Sequence, residues 1–445
     1  MKNKSLSTFI LTILLIICTS FGSVANGLNN TASIIAQSAI VMDMDTGEVI
    51  ASKNAQIQIP VASTIKLLTS LIYAENISKG ETIQFTEEAL KTTQTALNNL
   101  KEINVGDRIS SDDLMKAVMI YSANDAAYLM ADAVSGNYKD FVKIMNDKAK
   151  SLGLEDTYVV NPSGLESNAV DPDNTEINLS TAYDMAIIAK EAYKNSWIRE
   201  TISDQSQDIT IDIEGEAVPI KLRNKILGQN GNVGGKTGNE TQAGHCFVGF
   251  FQRDGRNLVT VALNSEYGTD GTNVFDDTKI IADYGYLAEK QVFKKAGEEI
   301  GTVELEYRTY GIIGSKKSIT APVIATEDIM YYKNDINDEN AKIEYNNENE
   351  INSAWKLANR ELELNFNLPN YSSKVTGKVD LSKLDLLKIY ALSLIKFIVM
   401  TLILLLIVAY CIRLRNLRRK RKRKRMRRRN RSKNKNRNRN NKKRR

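Results

Sequence analysis

A serine and a lysine stand three residues apart in the stretch Ile59-Pro60-Val61-Ala62-Ser63-Thr64-Ile65-Lys66-Leu67-Leu68. In a helix that spacing puts both side chains on one face, one turn apart. Pro60 suits the approach to a helix start, where its missing N–H costs nothing. Leu67, Leu68, Leu71 and Ile72 then recur at helical spacing, which predicts a buried helix. A serine in its first turn lies in the positive field of the helix N-terminus. A lysine held beside that serine and stripped of water loses its proton readily and becomes a base toward the hydroxyl. The same four letters also describe a serine cap followed by an ordinary surface lysine, so the pair needs company.

Two further stretches supply it. Ser122 and Asn124, in Tyr121-Ser122-Ala123-Asn124-Asp125, stand just before a predicted helix and so on a loop. Serine and asparagine there are by themselves ordinary caps and turn residues. Gly234-Gly235-Lys236-Thr237-Gly238 places a cation and a hydroxyl among glycines that allow close approach of backbone to a ligand. An ammonium and a hydroxyl side by side suit a carboxylate. In this order the three stretches form the S-x-x-K, S-x-N, K-T-G set of serine acyl-transfer enzymes acting on D-alanyl peptides and β-lactams. The middle one reads Ser-Ala-Asn where Ser-Asp-Asn is usual.

Other chemistries find little support. His245 is the only histidine, which leaves no ligand set for a zinc peptidase and makes a Ser-His-Asp triad depend on that one residue. Its predicted strand position beside Cys246 reads as structural. No cofactor motif is evident.

The net charge of +7 conceals a division. Residues 413–445 hold 22 of the 60 Lys and Arg and none of the 53 Asp and Glu, which leaves 38 basic against 53 acidic elsewhere, a net of −15. The body is acidic and the tail strongly basic, which points to different surroundings for each. Residues 1–25 read as a signal peptide, with Lys2 and Lys4, an apolar Leu6–Cys18 core and Ser23-Val24-Ala25 as the cleavage site. Ile389 to Ile412 is apolar apart from Ser393, Lys396 and Thr401. As a helix it is about 36 Å long, enough for a hydrocarbon core of about 30 Å. Of the cysteines, Cys18 lies in the leader and Cys411 in the span, so Cys246 stands alone in the body and no disulfide joins it there.

Between leader and span, strands come first and last and helices fill the middle. The expected helices are Ser111–Met119, Ala126–Val134, Lys139–Leu152, Thr181–Lys194 and about Phe275–Ala288. The expected hairpins pair Ala39–Met42 with Glu48–Ala51, Asp208–Ile213 with Ala217–Leu222, and His245–Phe251 with Asn257–Leu263. This order predicts an α/β (α+β) fold, an antiparallel sheet covered by helices with a helical subdomain inserted. The domain division follows as 1–25 leader, 33–289 main domain, 290–378 small β-rich domain, 389–412 transmembrane helix and 413–445 disordered basic tail. Asp335–Asn352, polar and acidic, reads as a loop.

Residues from about 35 to 375 resemble the low-molecular-mass penicillin-binding proteins, the serine-type D-alanyl-D-alanine carboxypeptidases. Pro60-Val-Ala-Ser-Thr-Ile-Lys, Ser122-Ala-Asn-Asp-Ala-Ala, Asn161-Pro-Ser-Gly-Leu, Arg223-Asn224 and Lys236-Thr-Gly with Ala243-Gly244 carry the resemblance. It implies a β-lactamase/transpeptidase-like fold and removal of the terminal D-alanine from peptidoglycan stem pentapeptides through an acyl-enzyme. It further implies Ser63 as nucleophile, Lys66 as general base, Ser122 as proton relay with Asn124, and Lys236, Thr237, Gly238, Asn239 and Arg223 at the substrate. The backbone N–H groups of Ser63 and Asn239 would form the oxyanion hole. Asn239-Glu240 after K-T-G, and Asn178-Leu179 before Ser180-Thr181-Ala182, depart from the usual family residues and bear on substrate preference.

Three other readings use the same motifs: a β-lactamase, a transpeptidase, and a catalytically dead wall-binding protein. The expected partners are the pentapeptide, β-lactam inhibitors and, for the basic tail, the anionic inner leaflet, with no nucleic acid. Positive charge after a span places the tail in the cytoplasm and the body outside, as a single-pass protein of the cell membrane. The many Asn, Lys and Ile residues fit a low-GC bacterium of Gram-positive type.

Overall fold

The computed structural model describes residues 33–442, apart from 207, 311–312 and 346–352. The leader at 1–25 lies outside the described residues. Two units emerge: one of residues up to 294 with 328–343 and 365–374, the other of 295–327, 344–364 and 375 onward.

The first unit is built on a five-stranded antiparallel sheet. Its strands are β1 (Ser38–Asp43), β2 (Val49–Lys53), β3 (Asn232–Glu240), β4 (Gly244–Arg253) and β5 (Arg256–Ser265), in the order β2-β1-β5-β4-β3. Segments more than 200 residues apart in sequence meet where β1 pairs with β5, from Ser38↔Leu263 to Asp43↔Leu258. β3 therefore lies at an edge, with one side of its backbone unpaired. The sheet residues are buried on both faces. Ile40, Val261 and Phe250 join the core that holds Leu67, Leu68 and Met130, while Val41, Phe247 and Leu258 pack with Phe275 and Ile281. Helices thus cover both faces, as the order of elements predicts.

The helices are α1 (Lys66–Asn76), α2 (Asn124–Ser135), α3 (Tyr138–Ser151), α4 (Ala182–Lys194) and α5 (Asn273–Leu287). Each predicted helix is present. Helix Ser111–Lys116 differs, passing into a wider π-type turn over Ala117–Tyr121. A further helix, Ser196–Ile202, has no counterpart in the sequence reading; the Asn195 side chain caps it by accepting from the N–H groups of Trp197 and Ile198. A short helix, Asp335–Asn340, lies where a loop is expected. The side chain of Asn334 caps it, and the backbone N–H of Asn337 donates to that cap. Buried Ile336 gives it the apolar contact that composition alone hides.

The second unit contains the hairpin of β6 (Glu299–Tyr310) and β7 (Ile313–Ala325), and β7 pairs with residues 377–379. Helix α6 (Lys383–Lys442) begins here. Leu386 and Tyr390 are buried, and Tyr390 stacks on Trp355 at 5.4 Å between centroids. From Leu392 to Ile412 the large apolar side chains are exposed along the helix. The helix is long and apolar enough to cross a membrane. It does not end at Ile412: the basic stretch continues as helix to Lys442, where the sequence reading expects disorder. Lys and Arg are good helix formers, and no Gly or Pro interrupts the run.

Candidate active site

Ser63 lies in a tight 3-10 turn, Ala62–Ile65, that leads into α1. No side-chain cap is present at this turn, so Ser63 is not spent on capping. Ala62 is held at φ +47°, a left-handed conformation disfavoured for a residue with a Cβ. Such strain persists only where the surroundings enforce it. Gly164 (φ +82°) is the enforcing neighbour: a Cβ there would lie 2.1 Å from the carbonyl oxygen of Ala62. On the other side, a Cβ on Gly238 would lie 3.1 Å from the backbone nitrogen of Ser63. The serine turn is thus held between two backbones.

Lys66 opens α1 and is fully buried. Its Nζ donates to Ser63 Oγ at 2.8 Å, to Asn124 Oδ1 at 2.6 Å and to the carbonyl of Ser163 at 2.6 Å. An ammonium has three N–H donors, and three acceptors meet them. Among the described residues no carboxylate touches it. Burial therefore dominates and pulls Lys66 down to about 7, against the weaker upward pull of Glu240 and Asp125. The surface-lysine reading of S-x-x-K does not apply.

Ser122 follows the π-type turn and stands in the left-handed region, at φ 71° and ψ 33°. The backbone N–H of Ala123 bonds back to the carbonyl of Ala117, which closes that turn. Asn124 then begins α2 with no cap bond from a side chain. Its amide is free to bridge, with Oδ1 on Lys66 and Nδ2 donating to the Gln94 carbonyl at 2.7 Å. Asp125, also buried, accepts from the backbone N–H groups of Leu97 and Asn98 and so pins the segment that carries Gln94 and Thr95. Burial pushes its carboxyl up to about 6.

Lys236 is 1% exposed on β3. Its Nζ donates to Ser122 Oγ at 2.7 Å and to the Thr237 carbonyl at 2.9 Å. Burial, then the charges of Lys66 and Arg223, push its ammonium well below the usual lysine range. Arg223 donates from Nε to the Tyr121 carbonyl at 3.2 Å, with its guanidinium 4.9 Å from the Tyr121 ring centroid. Ser63, Ser122, Asn124, Arg223, Thr237, Gly238 and Asn239 line one cavity of about 220 Å³. Among the described residues Lys66, Lys236 and Arg223 have no direct carboxylate partner, so the end of the cavity beside Lys236 and Arg223 suits an anionic group.

The residues singled out in the sequence come together here, with two refinements. Gly234 and Gly235 serve packing instead of a ligand: a Cβ on either would strike Ile202 or Phe247. His245 lines the same cavity but is stacked on Tyr267, and burial pulls it down to about 4. The hydroxyl of Ser63 is met by Lys66, not by His245.

Ser163 was not singled out for chemistry, yet its carbonyl also accepts from Ser63 Oγ at 3.3 Å. The turn signal in Asn161-Pro162-Ser163-Gly164 pointed to this segment. Asn161 Oδ1 accepts from the N–H groups of Ser163 and Gly164 and shapes the turn that presents the carbonyl. Gln94 has no counterpart in the sequence reading, because no local pattern marks it; Glu240 enters there only as a departure after K-T-G that bears on substrate preference.

Comparison with known proteins agrees with this geometry. The family model for D-alanyl-D-alanine carboxypeptidase matches residues 25–267. D-alanyl-D-alanine carboxypeptidase DacF of Bacillus subtilis is 30% identical over 232 residues, which cover 52% of this chain and 57% of DacF. DacC of Escherichia coli, also a D-alanyl-D-alanine carboxypeptidase, is 31% identical over 57% of this chain and 62% of its own. The matched stretch is thus less than two thirds of either relative. Among solved structures, a penicillin-binding protein of Listeria monocytogenes in an ampicillin-bound form superposes with a TM-score of 0.50 at 27% identity, covering 57% of this chain and 99% of that one. With more than half of its length matched and the motif residues lining one cavity or bonded to its lining, this chain belongs to the D-alanyl-D-alanine carboxypeptidase family.

Proposed function

We propose that the chain is a penicillin-sensitive, serine-type D-alanyl-D-alanine carboxypeptidase that removes the terminal D-alanine from peptidoglycan stem pentapeptides. One observation carries the reading: a fully buried lysine, near neutrality in its protonation, 2.8 Å from a serine hydroxyl. Lys66 takes the proton of Ser63 Oγ, which attacks the carbonyl carbon of the D-Ala–D-Ala bond. The N–H groups of Ser63 and Asn239 stabilise the oxyanion. Ser122, bonded to Lys236, passes a proton to the departing nitrogen and receives in its place the one Lys66 took; the C–N bond breaks, D-alanine leaves, and Lys66 is neutral again. Lys236, Thr237 and Arg223 hold the terminal carboxylate, and Asn124 holds Lys66 and the substrate amide. Water then attacks the ester carbonyl and gives a proton to Lys66, which passes it to Ser63 Oγ as the ester C–O bond breaks, so that Ser63 is regenerated and the shortened peptide is released. β-Lactams acylate the same hydroxyl, a reading that the ampicillin-bound Listeria relative supports.

In this reading α6 is a single-pass anchor. The body lies outside the cell and the basic end inside, where each Lys or Arg near an anionic leaflet contributes about 1 kcal/mol or less. The test of function is D-alanine release from a pentapeptide, with labelling by a fluorescent penicillin. Ser63→Ala loses both while remaining folded; labelling equal to the parent overturns the reading.

A further inference from the structure

Ser63 faces the midpoint of a polar stretch of β3. Side chains alternate along a strand, so Lys236, Gly238 and Glu240 share one face. Pairing with β4 is regular here, with Val248↔Lys236, Cys246↔Gly238 and Gly244↔Glu240, so no bulge breaks the alternation. Gly238 is the point that abuts the Ser63 turn. Lys236 therefore lies about 7 Å along the strand to one side of the nucleophile, and Glu240 about 7 Å to the other. Glu240 lines the same cavity as Ser63 and is half-buried.

The carboxylate of Glu240 is poorly matched by the protein. Among the described residues its one hydrogen bond comes from Gln94 Nε2, at 3.4 Å. The neighbouring Glu166 directs its Oε1 to the backbone N–H groups of Gln242 and Ala243. Burial first, and then the charge of Glu166, push Glu240 above the usual carboxylate range, against the attraction of Lys66. A desolvated carboxylate in this condition gains from an arriving cation.

A peptide laid along the free edge of β3 extends the sheet and presents its side chains at strand spacing. With its terminal carboxylate at Lys236 and its scissile carbonyl at Ser63, the residue preceding the D-alanine pair comes to the Glu240 end. We propose that Glu240 is a specificity-determining residue: its carboxylate pairs with a side-chain ammonium on the residue preceding the D-alanyl-D-alanine pair. The preferred substrate is then a stem peptide with a free diamino-acid amine at that position. This rests on the carboxypeptidase reading above and adds to it the substrate class.

The experiment uses the full chain in detergent and two pentapeptides that end in lysyl-D-alanyl-D-alanine, one with the lysine ε-amine free and one with it acetylated. D-Alanine release gives kcat and KM for the parent, Glu240→Gln and Glu240→Lys, with penicillin acylation rates alongside. The parent is expected to favour the free amine about tenfold in kcat/KM, chiefly through KM. Glu240→Gln is expected to bring the ratio near one, and Glu240→Lys to invert it. Equal use of both peptides by the parent overturns the proposal. So does an unchanged ratio in Glu240→Gln with both peptides and penicillin slowed alike, since Glu240 would then act only through Lys66. Absence of D-alanine release from both peptides overturns the reaction itself, together with the proposal resting on it, and is distinct from equal release.

Discussion

Acylation of Ser63 is expected to rise steeply with pH between 6 and 8, because Lys66 must be neutral to act as a base. Burial takes its ammonium from the ordinary 10.5 to about 7. The neutral fraction is then about one in eleven at pH 6 and about ten in eleven at pH 8, a tenfold rise in rate. Stopped-flow acylation by a penicillin, at concentrations where the rate reports kcat/KM, measures this directly. Lys66→Arg keeps the positive charge and cannot give up its proton, so it loses acylation at every pH. The same displacement acts on stability. Between about pH 7 and 10.5 the unfolded chain holds a lysine proton that the folded chain has lost, so stability rises with pH across that window. The slope from this one group is about 1.4 kcal/mol per pH unit, and the total is on the order of 5 kcal/mol. Comparing urea unfolding of the parent with Lys66→Met isolates it: the unpaired Asn124 and Ser163 oxygens in the variant add an offset that does not change with pH. A parent acylation rate that is flat from pH 6 to 8, or that rises only above about pH 9.5, refutes the neutral-lysine argument. So does a stability difference with no slope.

Gly164→Ala is expected to cost about 3 kcal/mol or more and to remove penicillin labelling, since its Cβ would enter the Ala62 carbonyl at 2.1 Å from a left-handed backbone. Urea unfolding and labelling check it, and a variant that labels like the parent contradicts the clamping of the serine turn. A chain ended after Ala391 is expected to be soluble and to release D-alanine, because Leu386 and Tyr390 are buried whereas the large apolar residues from Leu392 onward are exposed. Fractionation with the activity assay tests this, and sedimentation of that shorter chain with membranes counts against α6 as the anchor. For the full chain, protease added to intact protoplasts is expected to digest the body and spare a tag at the C-terminus; loss of the tag with the membrane still sealed reverses the topology.

Much of this protein is legible in one dimension. Helical spacing places Ser63 and Lys66 on one face, strand alternation marks the hairpins around β4 and β5, and the apolar run before the basic end marks a helix long and apolar enough to cross a membrane. These are periodic or compositional signals, carried by residues near one another in the chain. The acyl-transfer motifs are legible because their order narrows many weak matches to one family. What the sequence could not decide is set by contacts across long separations. Lys66 loses its proton more readily because it is buried against Asn124 and the Ser163 carbonyl, 58 and 97 positions away, and not against a carboxylate, and the base role proposed above depends on this. Its proton affinity follows from solvent exclusion, which no local pattern encodes. The unusual backbone at Ala62 depends on Gly164, a glycine that reads in sequence as an ordinary turn residue. Glu240 stands out in the sequence only as a departure after K-T-G, and it is the register of β3 against β4 that sets it on the same face as Lys236, with the Ser63 turn against Gly238 between them. The helical course of the basic end follows from the helix propensity of Lys and Arg, which a run of like charge in the sequence masks. Sequence thus specifies which groups are present and the local period they follow, while the tertiary structure decides which are denied water and which face one another, and reactivity depends on those two conditions.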